Sequence, residues 1–344
     1  MRSILFFHPK NDYTGSTRVL ANIIADEYSE EQIYIITNRN GNKGFLSELP
    51  NVHIINVCYL KRVGILKYFS SLVWRIHSLL LVLWYGWRFK TFYINTIIPY
   101  YAAMVGTLYR KKIIYHIHEK FKVSKPSVKL AENIFNKTTA HRIFVSQYTK
   151  EQYPENQECT WEIKYNKLSE SFLKRVRIRP LSERSRTQII MISSLTLDKG
   201  VDIFVRLANL LPEYHFQLII SADEQKIKEF FTDYEYHDNL ELIPAQSDIH
   251  PFLYQSDLIV NLSNPSLSVE TFGLTILEAM PYGIPAIVPN IGGPIELIKN
   301  DYNGYCVDVT DLDELTRAIR LALDKDNYKR MSVNALKRFE TRFK

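Results

Sequence analysis

Short apolar runs alternate with longer helix-periodic segments along the whole chain, and this alternation limits the fold more than any other feature. Ile4–Phe7, Gln32–Thr37, His53–Val57, Thr91–Asn95, Ile113–Ile117 and Arg142–Ser146 read as strands, with a helix-like run over Arg18–Tyr28. A second series begins at Ile189–Ile192 and continues with Phe216–Ile220, Leu240–Ile243, Leu258–Leu262 and Ile284–Pro289. Helices are expected over Val201–Leu211, Gly273–Met280, Leu312–Leu323 and Tyr328–Phe343. Strands joined through helices build open parallel sheets. Residues 171–188 (SFLKRVRIRPLSERSRTQ) are polar and basic with no apolar period, and read as a linker. The 344 residues therefore read as two doubly wound, Rossmann-like α/β domains, 1–175 and 186–328, followed by a terminal helical segment over 329–344. Ligands of such sheets bind beyond the carboxyl ends of the strands, so a cleft between two facing domains is the expected site.

Charge is divided unevenly over this frame. Residues 1–190 carry 29 Lys+Arg against 14 Asp+Glu, and residues 191–344 carry 14 against 23, so +15 and −9 sum to the net +6. Within the first half, residues 61–150 hold 16 basic and 2 acidic residues. Such a surface favours an anionic partner: membrane, nucleic acid or phosphorylated substrate. Cys58, Cys159 and Cys306 are too few and too scattered for a disulfide framework or a zinc site, which suits a reducing compartment. The opening MRSILFFHPK has too short an apolar run for a secretion signal. The longest uncharged stretch, Thr91–Tyr109, is interrupted by Asn95, Thr96 and Pro99, so no membrane span is expected. No G-x-G-x-x-G follows the first strand, and no P-loop or G-x-S-x-G elbow occurs, which argues against dinucleotide, P-loop and hydrolase chemistry.

The segment with most chemical content is Ser263–Glu278, SNPSLSVETFGLTILE. Gly273 allows a tight turn, and Leu274 and Thr275 would then present free amides at a helix start, where anions bind. Glu270 and Glu278 stand eight apart across that turn. A solvated loop glutamate and a solvent-facing helical glutamate would account for them equally well if they stood alone.

They do not stand alone. Glu270-x7-Glu278 within ETFGLTILEAM, followed by YGIPAIV and IGGPIELI, resembles the donor-site signature of the family 4 (group 1) retaining glycosyltransferases of the GT-B fold. The resemblance is strong over about residues 189–325 and weaker, though in order, over the first half. It implies that Glu278 hydrogen-bonds the donor ribose and that Glu270 contacts the donor sugar and stabilises the transition state. It implies that the amides of Gly273, Leu274 and Thr275 hold phosphates and sugar, and that Lys199, in LTLDKGVDIF, neutralises the diphosphate as the glycosidic bond breaks. Where the family often carries a Gly-Arg pair, this chain has Ser193-Ser194; Ser194 offers a hydroxyl and no charge. In the first domain, Thr14-Gly15-Ser16-Thr17-Arg18 resembles the family's glycine-rich loop, so Gly15 is a donor-site candidate, and a simple turn is the plainer reading. His118 in YHIHE resembles the histidine that lines the sugar pocket. His116 shares its strand face, with a satisfied core histidine as its plainer role. Tyr165-Asn166 resembles a short structural segment before the linker, and Gly292-Gly293 a loop near the nucleotide. Phe339–Phe343 lies where the family's last helix crosses back to the first domain.

Ile65–Lys90 mixes Trp74, Trp84 and Trp87 with Lys67, Arg75, Arg88 and Lys90. It fits an interfacial helix or a core helix with basic ends. Lys120, Lys122, Lys125 and Lys129 add a basic loop. No recognition motif accompanies this charge, so nucleic acid is not an expected partner. The sequence thus leads to a retaining hexosyltransferase with a nucleoside-diphosphate sugar donor and a saccharide or lipid-linked saccharide acceptor. Bacterial surface polysaccharide synthesis is the expected setting. Glu270, His118 and Lys199 are the catalytic candidates, and Gly15, Ser194, Gly273, Leu274, Thr275 and Glu278 complete the donor contacts. No cofactor or essential metal is expected, and the location is cytoplasmic, peripheral on the inner face of the cell membrane. The alternatives are a non-catalytic sugar-nucleotide-binding subunit and a GT-B epimerase or phosphorylase.

Overall fold

A computed structural model describes residues 2–12, 15–38, 44–57, 66–120 and 125–344; the side chains of residues 2 and 66–72 are not among them. Thr14, Cys58 and Lys122 therefore lie outside the described residues, as does the Lys67 side chain. The chain forms two compact units, Met1–Asn166 and Lys167–Lys344.

The first unit is a seven-stranded sheet in the order β3-β2-β1-β4-β5-β6-β7, parallel throughout. Its strands are β1 (Arg2–Lys10), β2 (Ile33–Asn38), β3 (Val52–Asn56), β4 (Phe89–Asn95), β5 (Lys112–Ile117), β6 (His141–Phe144) and β7 (Thr160–Ile163). Helices α1 (Gly15–Glu27), α2 (Leu66–Gly86), α3 (Tyr100–Leu108), α4 (Pro126–Lys137) and α5 (Gln147–Glu151) connect them. Leu5, Phe6 and Phe7 are all fully buried, because a central parallel strand is covered on both faces. The chain winds outward from β1 to β3 and returns to β4 beside β1, so the strand order reverses between β1 and β4.

The second unit repeats the plan with six parallel strands in the order β10-β9-β8-β11-β12-β13. These are β8 (Gln188–Ser193), β9 (His215–Ile220), β10 (Leu240–Ile243), β11 (Leu258–Val260), β12 (Ala286–Pro289) and β13 (Gly304–Val307). The unit opens with α6 (Glu170–Arg175) and continues with α7 (Val201–Leu210), α8 (Glu224–Phe230), α9 (His250–Gln255), α10 (Leu274–Ala279) and α11 (Pro294–Leu297). It closes with α12 (Leu312–Leu323) and α13 (Lys325–Arg342). Here the order reverses between β8 and β11. On α13, Met331, Ala335 and Phe339 are buried, Ser332 donates to the Gly283 carbonyl at 2.6 Å, and Arg338 donates to the carbonyls of Leu297 and Glu296 at 2.6 and 2.8 Å. That helix packs on the second unit.

Two strands carried no apolar pattern in the sequence. β7 (TWEI) is an exposed edge strand held by its ladder to β6, and β13 is a four-residue edge strand. Segment 171–188 is also not the free linker expected from its polarity, and the division falls at Asn166/Lys167 instead of 175/186. Three of its arginines, Arg175, Arg179 and Arg184, bond to residues beyond the segment in the second unit. Arg179 pairs with Asp257, whose fully buried carboxylate also accepts the Ser185 hydroxyl at 3.1 Å and the Thr187 and Gln188 amides at 3.0 and 3.1 Å. Arg184, 5% exposed, donates to the Tyr282 carbonyl at 2.5 Å, the Tyr328 hydroxyl at 2.6 Å and the Gly283 carbonyl at 3.3 Å. A buried guanidinium satisfied by neutral acceptors is costly to remove, because each acceptor is left in a dry site. Arg184→Met should lower stability by about 3 kcal/mol, read as a shift of the urea midpoint with unchanged slope.

Candidate functional site

In the second unit the candidate residues gather beyond the carboxyl ends of β8 and β11, where the strand order reverses. β8 ends at Ser193, and a single 3₁₀ turn, Leu197–Lys199, follows it. The Asn264 amide donates to the Asp198 carbonyl at 2.9 Å, tying that turn to the 263–273 loop. Gly200 then turns the chain into α7 with φ +74°; a Cβ there would stand 2.1 Å from the Leu262 carbonyl oxygen. The lysine's position is thus fixed by a residue that must be glycine.

Lys199 Nζ lies 2.8 Å from Glu270 Oε2, with the two side chains 29% and 21% exposed. Burial works to raise the Glu270 carboxyl's pKa. The Lys199 charge and hydrogen bond, with the amides of Phe272 and Thr271, outweigh it and hold the group below its ordinary value. Gly273, at φ +95°, leads into α10, whose start has no side-chain cap. The amides of Ile276 and Leu277 return to the Gly273 carbonyl, so those of Leu274 and Thr275 are the first-turn donors left for a ligand. The 270–273 turn is braced from behind by Gly292-Gly293. The Gly293 amide donates to the Glu270 carbonyl at 2.8 Å, and a Cβ on Gly293 would stand 1.9 Å from the Thr271 carbonyl oxygen. Glu278 lies on α10 and is 3% exposed, so it is not the solvent-facing glutamate of the plainer reading. Ser194 is exposed; its hydroxyl is 3.3 Å from that of Thr196, and the pair brings no charge.

In the first unit a second cluster occupies the equivalent place. Gly15 is exposed and begins α1. His118, just past β5, is 7% exposed, and its Nε2 is 2.7 Å from Asn95 Oδ1 at the end of β4. Asn95 Nδ2 is 2.9 Å from His8 Nδ1 on β1, and His8 Nε2 is 3.0 Å from the Thr17 hydroxyl. That hydroxyl donates to Asp12 Oδ1 at 2.9 Å. Burial lowers the His8 pKa to about 4, against the pull of Asp12, and burial with the neighbouring His116 and His8 keeps His118 well below its ordinary value. His116 is not the satisfied core histidine of the simpler reading. Its Nδ1 meets the Tyr93 hydroxyl at 2.9 Å, but among the described residues its buried Nε2 has no hydrogen-bond partner. Burial lowers its pKa to about 3. His8, Thr17, Asn95 and Tyr93 were not site candidates from sequence; for His8 and Asn95, polar residues near the ends of apolar strands were the available signal. Lys120, read as part of a basic loop, is paired with Glu132 and stands 4.4 Å over the Tyr153 ring. Among the described residues no three His, Cys, Asp or Glu side chains converge as metal ligands.

Residues 175–338 match the family model described as "Glycosyl transferases group 1". An uncharacterised glycosyltransferase of Methanocaldococcus jannaschii is 28% identical over 155 residues, which is 44% of this chain and 39% of that protein. The Escherichia coli UDP-Gal:α-D-GlcNAc-diphosphoundecaprenol α-1,3-galactosyltransferase is 34% identical over 122 residues, 34% of this chain and 30% of that protein. The matched stretches therefore span well under half of these relatives. Among solved structures, HepE of Anabaena in complex with UDP and glucose superposes with a TM-score of 0.80 at 20% identity, covering 100% of this chain and 96% of that one. WaaG, a glycosyltransferase of lipopolysaccharide biosynthesis, superposes at 0.73 with 12% identity, covering 98% and 95%.

Glu270 offers a direct check of the electrostatics. Burial is the largest single influence on its carboxyl, so removing the opposing cation reverses the balance. In Lys199→Met the Glu270 pKa should rise above the usual carboxylate value, followed by ¹³C carboxyl titration. In the parent protein the pair stabilises the fold above the ordinary carboxylate pKa, and that contribution fades as pH falls through the lowered value.

Proposed function

Because residues 175–338 belong to the glycosyl transferases group 1 family and the chain has the GT-B fold of two Rossmann-like units, we propose that it is a retaining hexosyltransferase. The donor is a nucleoside-diphosphate hexose and the acceptor a saccharide or lipid-linked saccharide, in bacterial surface polysaccharide synthesis. The observation that carries this reading is the Lys199–Glu270 pair set beside the uncapped α10 amides. One cation and two amides suit a diphosphate, and the adjoining carboxylates, Glu270 and Glu278, suit neutral hydroxyls of sugar and ribose. HepE is crystallised with UDP-glucose, and the Escherichia coli relative is a UDP-Gal transferase, so UDP-hexoses are the first donors to try.

In the proposed reaction the acceptor hydroxyl oxygen bonds to the anomeric carbon on the face the diphosphate leaves. The bond from that carbon to the diphosphate oxygen breaks, and its electron pair stays on that oxygen, which takes the acceptor's proton. Lys199 and the amides of Leu274 and Thr275 stabilise the charge that builds there. Glu270, kept ionised, faces the positive character of the sugar ring, and His118 contacts a sugar hydroxyl. No step needs a metal.

Incubation with UDP-glucose or UDP-galactose and a diphospholipid-linked saccharide should yield an α-linked product and UDP, equally with and without EDTA. Glu278→Ala should weaken UDP binding by about tenfold in calorimetry. Nucleotide binding with no turnover on any acceptor would favour the non-catalytic subunit, which the uncharged Ser193-Ser194 turn motivates. Donor conversion without transfer would favour an epimerase or phosphorylase.

The membrane role has its own observation. Val73, Ile76, Leu80, Trp84 and Trp87 follow at spacings of three and four along α2 and its end, and all are exposed, Trp84 to 68%. α3 exposes Met104 and Leu108, and Arg88 stacks over the Tyr85 and Trp87 rings at 5.3 and 5.1 Å. An exposed apolar stripe with aromatic and basic residues at one end fits the headgroup region of an anionic bilayer, and a protein on the cytoplasmic face of the cell membrane would meet one. No helix among the described residues is long and apolar enough to cross a membrane. Cosedimentation with vesicles containing phosphatidylglycerol should fall at least fivefold in Trp84→Ser/Trp87→Ser, while pure phosphatidylcholine vesicles should bind neither protein.

A further inference from the structure

We propose that Cys159 is a site of oxidation by hydroperoxides, and that the oxygen added to its sulfur accepts a hydrogen bond from the Nε–H of the buried Arg142 guanidinium. The two residues meet at the outer edge of the first sheet. Arg142 lies on β6 in register with Trp161 of β7, and Cys159 immediately precedes β7. The place lies away from the strand-order reversal, and nothing in the inference depends on the donor reading.

Arg142 is 3% exposed. Its Nη2 donates to the Phe135 carbonyl at 2.9 Å and the Asn136 carbonyl at 3.3 Å, its Nη1 reaches the Pro154 carbonyl at 3.5 Å, and its guanidinium carbon stands 4.2 Å from the Phe135 ring centroid. These acceptors are neutral. The buried Nε has no hydrogen-bond partner among the described residues. Burial lowers the guanidinium's pKa, and Cys159 is the leading influence in the opposite direction. A buried donor without an acceptor is costly, so an acceptor formed beside it gains more than the same group would in water.

Cys159 is half-buried and lines a small pocket together with Arg142. Its thiol donates to the Thr138 carbonyl at 3.3 Å, which leaves the sulfur lone pairs to other directions. The pocket opens to solvent and has room for about one water-sized group, the size of a single added oxygen. Cys306 differs: its thiol donates to the Ile298 carbonyl at 3.6 Å, and burial pushes its pKa up to about 11, so at neutral pH it holds its proton and is a poor nucleophile. In the step at Cys159 the sulfur attacks one oxygen of the hydroperoxide. The sulfur–oxygen bond forms as the oxygen–oxygen bond breaks, and the electron pair of the broken bond stays on the departing oxygen. The thiol proton ends on that oxygen, giving water from hydrogen peroxide. The sulfur is oxidised by two electrons to a sulfenic acid and the peroxide is reduced by two.

Full-length reduced protein, treated with hydrogen peroxide in the presence of dimedone and mapped by peptide mass, should acquire the dimedone adduct at Cys159 about tenfold faster than at Cys306. Equal or slower labelling of Cys159 overturns the site. The arginine Nε–H signals of ¹⁵N-labelled protein, recorded before and after peroxide alone, read the partner. One signal should shift and exchange more slowly with water in the parent protein, and none should do so in Cys159→Ser. A parent spectrum that peroxide leaves unchanged while Cys159 is oxidised overturns Arg142 as the donor.

Discussion

Backbone against backbone, with no room for a Cβ, is the constraint on which the second unit's site depends. Gly200 presses on the Leu262 carbonyl, and Gly292 and Gly293 press on those of Glu270 and Thr271. Three segments far apart in sequence are held at close-packing distance there, and the charged side chains inherit their positions from that contact. Lys199 stands next to the first glycine, and Glu270 supplies one of the carbonyls that the others touch. The 2.8 Å ion pair follows from backbone packing before any side-chain attraction is counted. That matters energetically, because a partly exposed ion pair contributes little by itself.

The two units solve the same topological problem with different chemistry. Each places its polar residues where the strand order reverses. In the second unit these are a lysine, two glutamates and backbone amides, suited to a ligand with concentrated charge. In the first they are two imidazoles kept uncharged by burial, an amide and a hydroxyl bonded to the Asp12 carboxylate, a set of mostly neutral donors and acceptors. The net basic character of the first half does not enter that cluster; it lies in surface residues such as Arg88, Lys111 and Lys125.

Most strands were legible because central parallel strands are buried on both faces and read as unbroken apolar runs. β7 and β13 escaped because TWEI and GYCV carry no unbroken apolar run, and their ladders to β6 and β12 hold them at the sheet edges without one. Lys199, Glu270, Gly273 and Glu278 were singled out because the short segments that carry them resemble a family signature, and the structure brings Lys199 and Glu270 within 2.8 Å. Of the His8–Asn95–His118 cluster only His118 was singled out, since its partners stand 87 and 23 residues away in sequence and meet only after β1, β4 and β5 pair. Segment 171–188 misled for a related reason. Arginines that dock on carbonyls and a buried carboxylate look the same in sequence as arginines in water.

The lysine at the reversal point of the second sheet already has a carboxylate. A singly charged anion arriving there would replace one charge–charge contact with another and would gain nothing net. An advantage comes only to a ligand that adds a second negative charge or reaches the neighbouring amides as well. On electrostatic grounds the pair would set a threshold that favours anions able to engage several donors at once over chloride or acetate.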